Sequence, residues 1–270
     1  MIDFHSHILP NIDDGSTSME ESVKLIKEAE QAGFTGIIST SHYLQKYYEC
    51  DETERRNLLN ELAEQVKMAN ASGDSDAGIS EDENFEDGIG DIAGDRISNG
   101  GMPKLYLGSE IYITTDIVDL LKEGKASTIN GTNYVLFELP MNSKPLFAKE
   151  VVYKLIENGY NPIIAHPERY SYVKEDIEFV RELKSMGALF QSNYGSVIGM
   201  YGGSAKKTLK KLLKEDLISF LGSDVHAVGQ IYPKVPKILR KLEKWISPEK
   251  LQELTTLNAE TVLESMKNCQ

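Results

Sequence analysis

His5-Ser6-His7 puts two imidazoles at i and i+2, so in an extended strand both rings leave the same face and can grip one cation. A lone His-x-His pair says little. It gains weight because the other three histidines also stand in short motifs, Thr40-Ser-His42, Ile164-Ala-His166 and Gly222-Ser-Asp224-Val-His226. Glu110 and Glu138 sit inside strongly apolar stretches, where an unpaired carboxylate is costly to bury and a bound cation removes the cost. Asp13-Asp14-Gly15 adds carboxylates on a loop, although the same tripeptide also makes a plain turn. Mixed imidazole and carboxylate donors suit Mn²⁺, Zn²⁺ or Fe²⁺ better than Ca²⁺. Too many candidates are present for a single ion. A multinuclear site lowers the pKa of bound water and neutralises phosphoryl oxygens, so the expected chemistry is phosphoester hydrolysis without a protein nucleophile. Arg169, three residues after His166, is placed either to fork onto phosphate oxygens or to pair with Glu168.

A thiol mechanism is the rival chemistry, because Cys50 and Arg56 match a cysteine, five residues and an arginine. Such a site needs glycine-rich backbone N–H groups and a lowered thiol pKa. Asp51, Glu52 and Glu54 would instead repel phosphate and disfavour thiolate. The two cysteines, Cys50 and Cys269, are too few for a thiolate metal site or a disulfide framework, as in a reducing compartment.

The elements that must hold these residues follow a βα rhythm. Apolar strand patterns run over Ile2 to His5, Thr35 to Thr40, Leu105 to Glu110, Tyr134 to Leu139, Pro162 to His166, Ala188 to Asn193 and Ile218 to Ser223. Helical periodicity falls at Met19 to Ala32, Glu52 to Asn70, Lys149 to Asn158, Glu175 to Met186, Ala205 to Glu215 and Pro248 to Lys267. Ser18 and Glu21 form a capping box at the first helix, and Gly33, Gly159 and Gly187 follow helices as C-terminal glycines should. Seven strands alternating with helices predict an incomplete or distorted barrel. Its strand C-terminal ends would bring the metal candidates to one face.

At 270 residues with 40% hydrophobic content the chain can bury a full core. It has no apolar run near the roughly 18 residues of a membrane span, and it starts without a basic or apolar leader pattern, so a cytoplasmic protein without membrane insertion is expected. The net charge of −13 and the lack of a basic cluster interleaved with aromatics argue against nucleic acid. Lys206, Lys207, Lys210, Lys211 and Lys214 form a basic helix face, read as solvated or as a partner patch. Residues 70–101 carry nine acidic side chains against one basic, with seven glycines and no apolar periodicity. They are expected to be a flexible insertion within a single domain spanning 1–270.

Taken together, these motifs resemble the polymerase-and-histidinol-phosphatase (PHP) superfamily, and within it the bacterial capsule-type metal-dependent protein tyrosine phosphatases. The resemblance covers nearly the whole chain. It is carried by Met1-Ile-Asp-Phe-His-Ser-His-Ile-Leu-Pro-Asn-Ile-Asp-Asp-Gly-Ser16, Thr40-Ser-His42, Gly108-Ser-Glu-Ile-Tyr112, Phe137-Glu-Leu-Pro140, Ile164-Ala-His-Pro-Glu-Arg-Tyr170 and Gly222-Ser-Asp-Val-His226. It implies a distorted (β/α)7 TIM-like barrel, the PHP fold, holding three divalent ions, with Mn²⁺ expected and Fe²⁺ or Zn²⁺ as alternatives. His5, His7, Glu110 and Asp224 would hold one ion, Glu110, Glu138 and His166 the second, and Asp14, His42 and His226 the third. The implied activity is hydrolysis of phosphotyrosine by a metal-activated hydroxide, on the tail of a membrane-associated bacterial tyrosine kinase that controls capsular or exopolysaccharide synthesis. Arg169 would bind the phosphoryl group, and Tyr112, Tyr170 and Tyr194 either stack on the substrate ring or pack in the core.

Two departures from that family stand out. Similar proteins have a short connection in place of residues 70–101, and they carry an arginine a few residues after Asp-x-His, where this chain reads Ala227-Val-Gly-Gln-Ile-Tyr-Pro-Lys234. Lys234 is the nearest cation but lacks the bidentate fork. The competing readings are a small-molecule phosphoesterase such as a histidinol phosphatase, and a catalytically weak kinase-binding regulator.

Overall fold

Helix and strand patterning emerge as a mixed α/β fold in which every strand of the computed structural model pairs in parallel; residues 1–71 and 101–265 are described. The first half contains β1 (Ile2–Ser6), α1 (Met19–Gln31), β2 (Gly36–Ser39), β3 (His42–Tyr43), α2 (Glu52–Ala71), β4 (Lys104–Leu107), β5 (Glu110–Tyr112), α3 (Ile117–Lys122) and β6 (Tyr134–Glu138). Then come α4 (Ala148–Glu157), β7 (Asn161–Ala165), α5 (Ser171–Glu175), α6 (Glu178–Ser185), β8 (Leu189–Asn193), α7 (Tyr194–Ile198), α8 (Gly202–Lys214), β9 (Phe220–Gly222), α9 (Val235–Leu242), α10 (Pro248–Gln252) and α11 (Asn258–Glu264).

Two of the expected strands are broken. The Thr35 to Thr40 pattern ends at Ser39 and resumes at His42, and the Leu105 to Glu110 pattern ends at Leu107 and resumes at Glu110. The ladder therefore divides into the orders β1-β2-β4 and β3-β5-β6-β7-β8-β9. Across the gap the backbone stays tied, with Gly108 N donating to Ser39 O (2.8 Å) and Glu110 N to Thr40 O (2.9 Å). At the far side the sheet curls round until β1 meets the segment after β9, where Asp224 N donates to His5 O (2.8 Å) and His7 N to Val225 O (3.1 Å). Gly222 permits that approach, since a Cβ there would stand 2.5 Å from His5 Cβ.

The helices cover the outside of the curl. In α1, Ser18 Oγ accepts from Glu21 N (3.1 Å), and Leu25, Ile26 and Ala29 face the core. Only half of the capping box forms, because Glu21 turns to the N–H and hydroxyl of Thr17 (2.8 and 2.7 Å). Gly33, Gly159 and Gly187 all have φ between 83 and 104°, the left-handed helix ending their sequence positions predicted. The helix expected from Glu175 to Met186 is split, since Asp176 is extended and its carboxylate caps Glu178 N (2.9 Å) to restart the turn. Pro248 onward forms α10, one π-helical turn (Glu253–Leu257) and α11. Of the acidic stretch, Asn70 and Ala71 finish α2, and residues 72–100 lie outside the described residues.

Two layers fill the interior of the curl. Ile2, Phe4, Ile38, Leu136, Ile163, Ala165 and Phe220 form an apolar cluster with Ala259 and Val262 of α11, and the Phe4 and Phe220 rings stack with centroids 3.9 Å apart. Because side chains two apart along a strand share a face, the positions after these residues supply a polar layer: Glu138 after Leu136, and Gly222 then Asp224 after Phe220. On β1 a register irregularity between Asp3 and Ser6 lets Phe4 join the apolar layer while the next residue, His5, reaches the polar one.

Candidate metal centre

His5 and His7 enter the polar layer from β1 and the turn after it, and both are fully buried. Each has its Nδ1 committed. That of His7 donates to Asp13 Oδ2 (2.8 Å), an oxygen that also accepts His42 N (2.8 Å). For His5 the tautomer follows from a chain of hydrogen bonds that starts at an acceptor-only group. Asn193 Nδ2 donates to Asp224 Oδ2 (2.6 Å), Gln191 Nε2 donates to Asn193 Oδ1 (3.0 Å), and Gln191 Oε1 is left to accept His5 Nδ1–H (2.8 Å). Both Nε2 lone pairs therefore face inward, 3.0 Å apart. Two facing lone pairs repel unless something positive lies between them.

The remaining donors of this group are Glu110 Oε2, 3.1 and 3.3 Å from the two Nε2 atoms, and Asp224 Oδ1, 3.6 and 3.4 Å away. Donors bound to one divalent ion at about 2.1 Å stand about 3.0–3.4 Å apart for octahedral or tetrahedral geometry. The donor set thus fits a divalent cation. Burial lowers the basicity of His5, but the charges of Glu110 and Asp224 outweigh it and leave its pKa raised. Burial likewise pushes the Glu110 and Asp224 carboxyls up, yet the neighbouring imidazoles pull both well below the usual carboxylate range.

Glu110 is shared. Its Oε1 receives His166 Nε2 (2.8 Å), and Glu138 Oε2 lies 3.8 Å from the same nitrogen. His166 Nδ1 is buried without a partner among the described residues, so the ring is satisfied only from the side of the site. Burial and the charges of Glu110 and Asp224 push the Glu138 carboxyl up to about 9; at neutral pH it must keep a proton or acquire a cation. His166 and Asp224 both adopt positive φ, 34 and 52°, a left-handed backbone that is strained for these residues. The turn at His166 interrupts the alternation of β7 and swings the imidazole toward Glu110.

A third grouping lies nearer solvent. Asp14 Oδ1 stands 3.6 Å from His42 Nε2 and 3.5 Å from His226 Nε2, and the His7 and His226 rings stack at 4.1 Å. His226 Nδ1 donates to Asp224 O (3.0 Å), which leaves its Nε2 for Asp14. His42 stands between groupings, with Nδ1 3.2 Å from Glu110 Oε2 and 3.6 Å from Glu138 Oε1. Burial pushes its pKa down to about 4, so this imidazole is neutral. Among the described residues the donors cluster as His5, His7, Glu110 and Asp224, as His42, Glu110 and Glu138, and as His7, Asp14, His42 and His226, each within 4.8 Å. Eight of the nine residues singled out from the sequence thus fall in these clusters; His42 takes the place beside Glu110 and Glu138 expected for His166, which adjoins them through Glu110 Oε1.

Arg169 lies at the edge of this constellation. Its Nη1 donates to Asp224 Oδ2 (2.6 Å) and the guanidinium lies 4.4 Å from the centre of the Tyr201 ring. It does not pair with Glu168, the alternative its sequence position allowed. Glu168 is buried and accepts from Ser192 Oγ (2.7 Å), Asn193 N (2.9 Å) and Ser196 Oγ (2.7 Å), so it fixes the turn that carries Arg169. Tyr170 and Tyr194 are core residues with no exposure, whereas Tyr112 is partly exposed two residues beyond Glu110. Tyr48, not singled out from the sequence, stacks on His42 with centroids 6.0 Å apart. Lys234 donates to Gln230 O of its own loop (2.6 Å) and stays exposed. Cys50 is buried and its thiol is pushed up to about 12 by burial, while Arg56 pairs on the surface with Glu52. No thiol site is built there.

Gln191 and Asn193 carry a signal that could have revealed them. They are polar residues at i and i+2 at the C-terminal end of a strand that begins Leu189-Phe190, the position at which other strands carry donors.

Residues 1–78 and 86–264 match the family described as capsular polysaccharide synthesis, CpsB/CapC. The chain belongs to the CpsB/CapC family. It is 30% identical over 264 residues to the tyrosine-protein phosphatase YwqE of Bacillus subtilis, covering 97% of this chain and 91% of that protein. It is 32% identical over 228 residues to CapC of Staphylococcus aureus, covering 84% and 78%. A solved structure described under YwqE of Bacillus subtilis and CpsB of Streptococcus pneumoniae, metal-dependent tyrosine phosphatases, superposes with a TM-score of 0.81 at 27% identity, covering 98% of this chain and 95% of the other. Among the described residues no helix is long and apolar enough to cross a membrane.

Proposed function

We propose that this CpsB/CapC protein is a metal-dependent protein tyrosine phosphatase acting on the phosphorylated tail of a membrane-associated bacterial tyrosine kinase in capsular or exopolysaccharide synthesis, and that it works in the cytoplasm. The observation that carries the reading is the pair of inward-facing Nε2 atoms of His5 and His7, with tautomers fixed by Gln191 and Asp13, beside two carboxylates at ligand spacing. We further assign the curled sheet to a distorted (β/α)7 barrel of the PHP type within a single domain. Joining β2 to β3 and β4 to β5 gives seven strands, and the contact of β1 with the segment after β9 supports closure.

His5, His7, Glu110 and Asp224 would hold the first of three divalent ions, Mn²⁺ in our reading with Fe²⁺ or Zn²⁺ as alternatives. Glu110, Glu138 and His166 would hold the second, and Asp14, His42 and His226 the third. The ions supply a water acidified to near-neutral pKa and positive charge against the phosphoryl oxygens. The chain's own residues do the rest. Arg169 turns its remaining N–H groups to the phosphoryl group, pre-oriented by Asp224 on one side and the Tyr201 ring on the other. Tyr48 and Tyr112, at the rim beside His42 and Glu110, offer ring faces to the phenol. A phenolate leaves readily, so no strong general acid is demanded of the protein.

The test is release of phosphate from phosphotyrosine peptides and from histidinol phosphate. Hydrolysis of the peptides that stops on chelation and returns with Mn²⁺ supports the reading. Faster turnover of histidinol phosphate would overturn the substrate assignment.

A further inference from the structure

Arg55 is the largest side chain in the described molecule with no solvent exposure, and it forms no ion pair with a described carboxylate. Burying a guanidinium without a counter-charge is costly, and here backbone carbonyls offset the cost. Nε donates to Cys50 O (2.8 Å), Nη1 to Ser41 O (2.7 Å) and Nη2 to His42 O (2.7 Å). All three acceptors belong to the segment that leaves the broken second strand and returns to α2. Ser41 O also accepts Glu110 N (3.3 Å), so the same carbonyl ties Arg55 to the backbone of the bridging glutamate.

We propose that Arg55 is a positioning residue for the metal centre. From α2 it fixes the backbone that carries His42 and, through Ser41, Glu110, so that tight binding of the ion held by His42 depends on a side chain that touches no ligand atom. This rests on the metal-centre reading above. A two-residue strand, His42–Tyr43, paired only with β5, has little of its own to hold it in register. The guanidinium supplies three divergent donors where a lysine supplies one compact head group.

The experiment measures divalent ions per chain by elemental analysis and Mn²⁺ affinity by calorimetry, for Arg55→Met, Arg55→Lys, His42→Ala and the Arg55→Met/His42→Ala double variant. Thermal melting reports whether each is folded. Loss of the Arg55 fork is expected to weaken the most labile ion about 10–100-fold, the range typical of groups that orient metal ligands. In the His42→Ala background the same substitution should weaken metal binding less, because the part of its effect that runs through His42 is gone. If Arg55→Met does not fold, Arg55→Lys, which keeps the charge and loses the fork, must show the same loss. Folded Arg55 variants with wild-type metal content and affinity would overturn the inference, as would an equal loss with and without His42. A wild-type chain that binds no divalent ion would sink this inference together with the metal-centre reading; wild-type binding with unaffected Arg55 variants would sink this inference alone.

Discussion

The apolar and polar layers inside the curled sheet are built on the same strands, one or two residues apart, and they are held in opposite ways. In the lower layer Phe4, Ile38, Leu136, Ile163 and Phe220 fill one another's space, and each contact is favourable as soon as water leaves. In the upper layer His5, Glu110 and Asp224 are buried at a desolvation cost that hydrogen bonds only partly offset. The lower layer and the surrounding helices therefore impose a geometry that the upper layer, left to itself, would not adopt. A site of this kind is a set of charges kept close by packing done elsewhere.

If that contrast is right, substitutions in the two layers should separate activity from stability. The largest effect on activity belongs to the ligands: His166→Ala should lose bound metal and abolish measurable phosphotyrosine hydrolysis, as read by elemental analysis and phosphate release. Arg169→Ala is expected to lower kcat/KM about 10²–10³-fold with metal content unchanged, as for a lost preorganised donor. Metal loss in that variant would show that Arg169 supports Asp224 rather than substrate. Gln191→Ala frees the His5 tautomer and should weaken metal binding about 10–100-fold, measured by competition with a chelator. In the apolar layer, Leu136→Ala should destabilise folding by about 2–5 kcal/mol, seen in denaturant melts, while the folded fraction keeps its metal and most of its kcat. Smallest of all is Cys50→Ser, which should leave kcat/KM within about twofold. The thiol, with its pKa near 12, should also resist alkylation from pH 6 to 9, since almost no thiolate forms below the pKa.

The same contrast explains which parts could be read from the sequence. Strand and helix identity was legible where periodicity and glycine punctuation agree, as at Gly33, Gly159 and Gly187. Eight of the donor-bearing residues were legible because histidines and carboxylates at strand ends have few structural uses, whereas Asp14, on a loop, was marked out only by the family resemblance. The breaks at Thr40-Ser41 and Gly108-Ser109 were hidden, since they arise from how the second and third strands pair across the curl. The split at Asp176 was hidden for a related reason, a side-chain cap competing with a continuous apolar pattern. Helix α9 was legible in principle, with Pro236 in its first turn and Val235, Ile238 and Leu242 on its buried face. Arg55 and Glu168 could not be singled out because their partners are backbone groups and hydroxyls, which leave no residue-type pattern along the chain. The sequence also suggested mouth-lining roles for Tyr170 and Tyr194 that burial rules out, since an aromatic next to a ligand motif looks the same whether it faces substrate or core.

The central claim is that the polar layer exists to hold divalent ions that hydrolyse phosphotyrosine. Elemental analysis of freshly purified protein, coupled to phosphate release from a phosphotyrosine peptide before and after chelation, tests it most directly. The account predicts up to three divalent ions per chain, activity lost with them and restored by Mn²⁺. Full hydrolysis by the metal-free chain would contradict it.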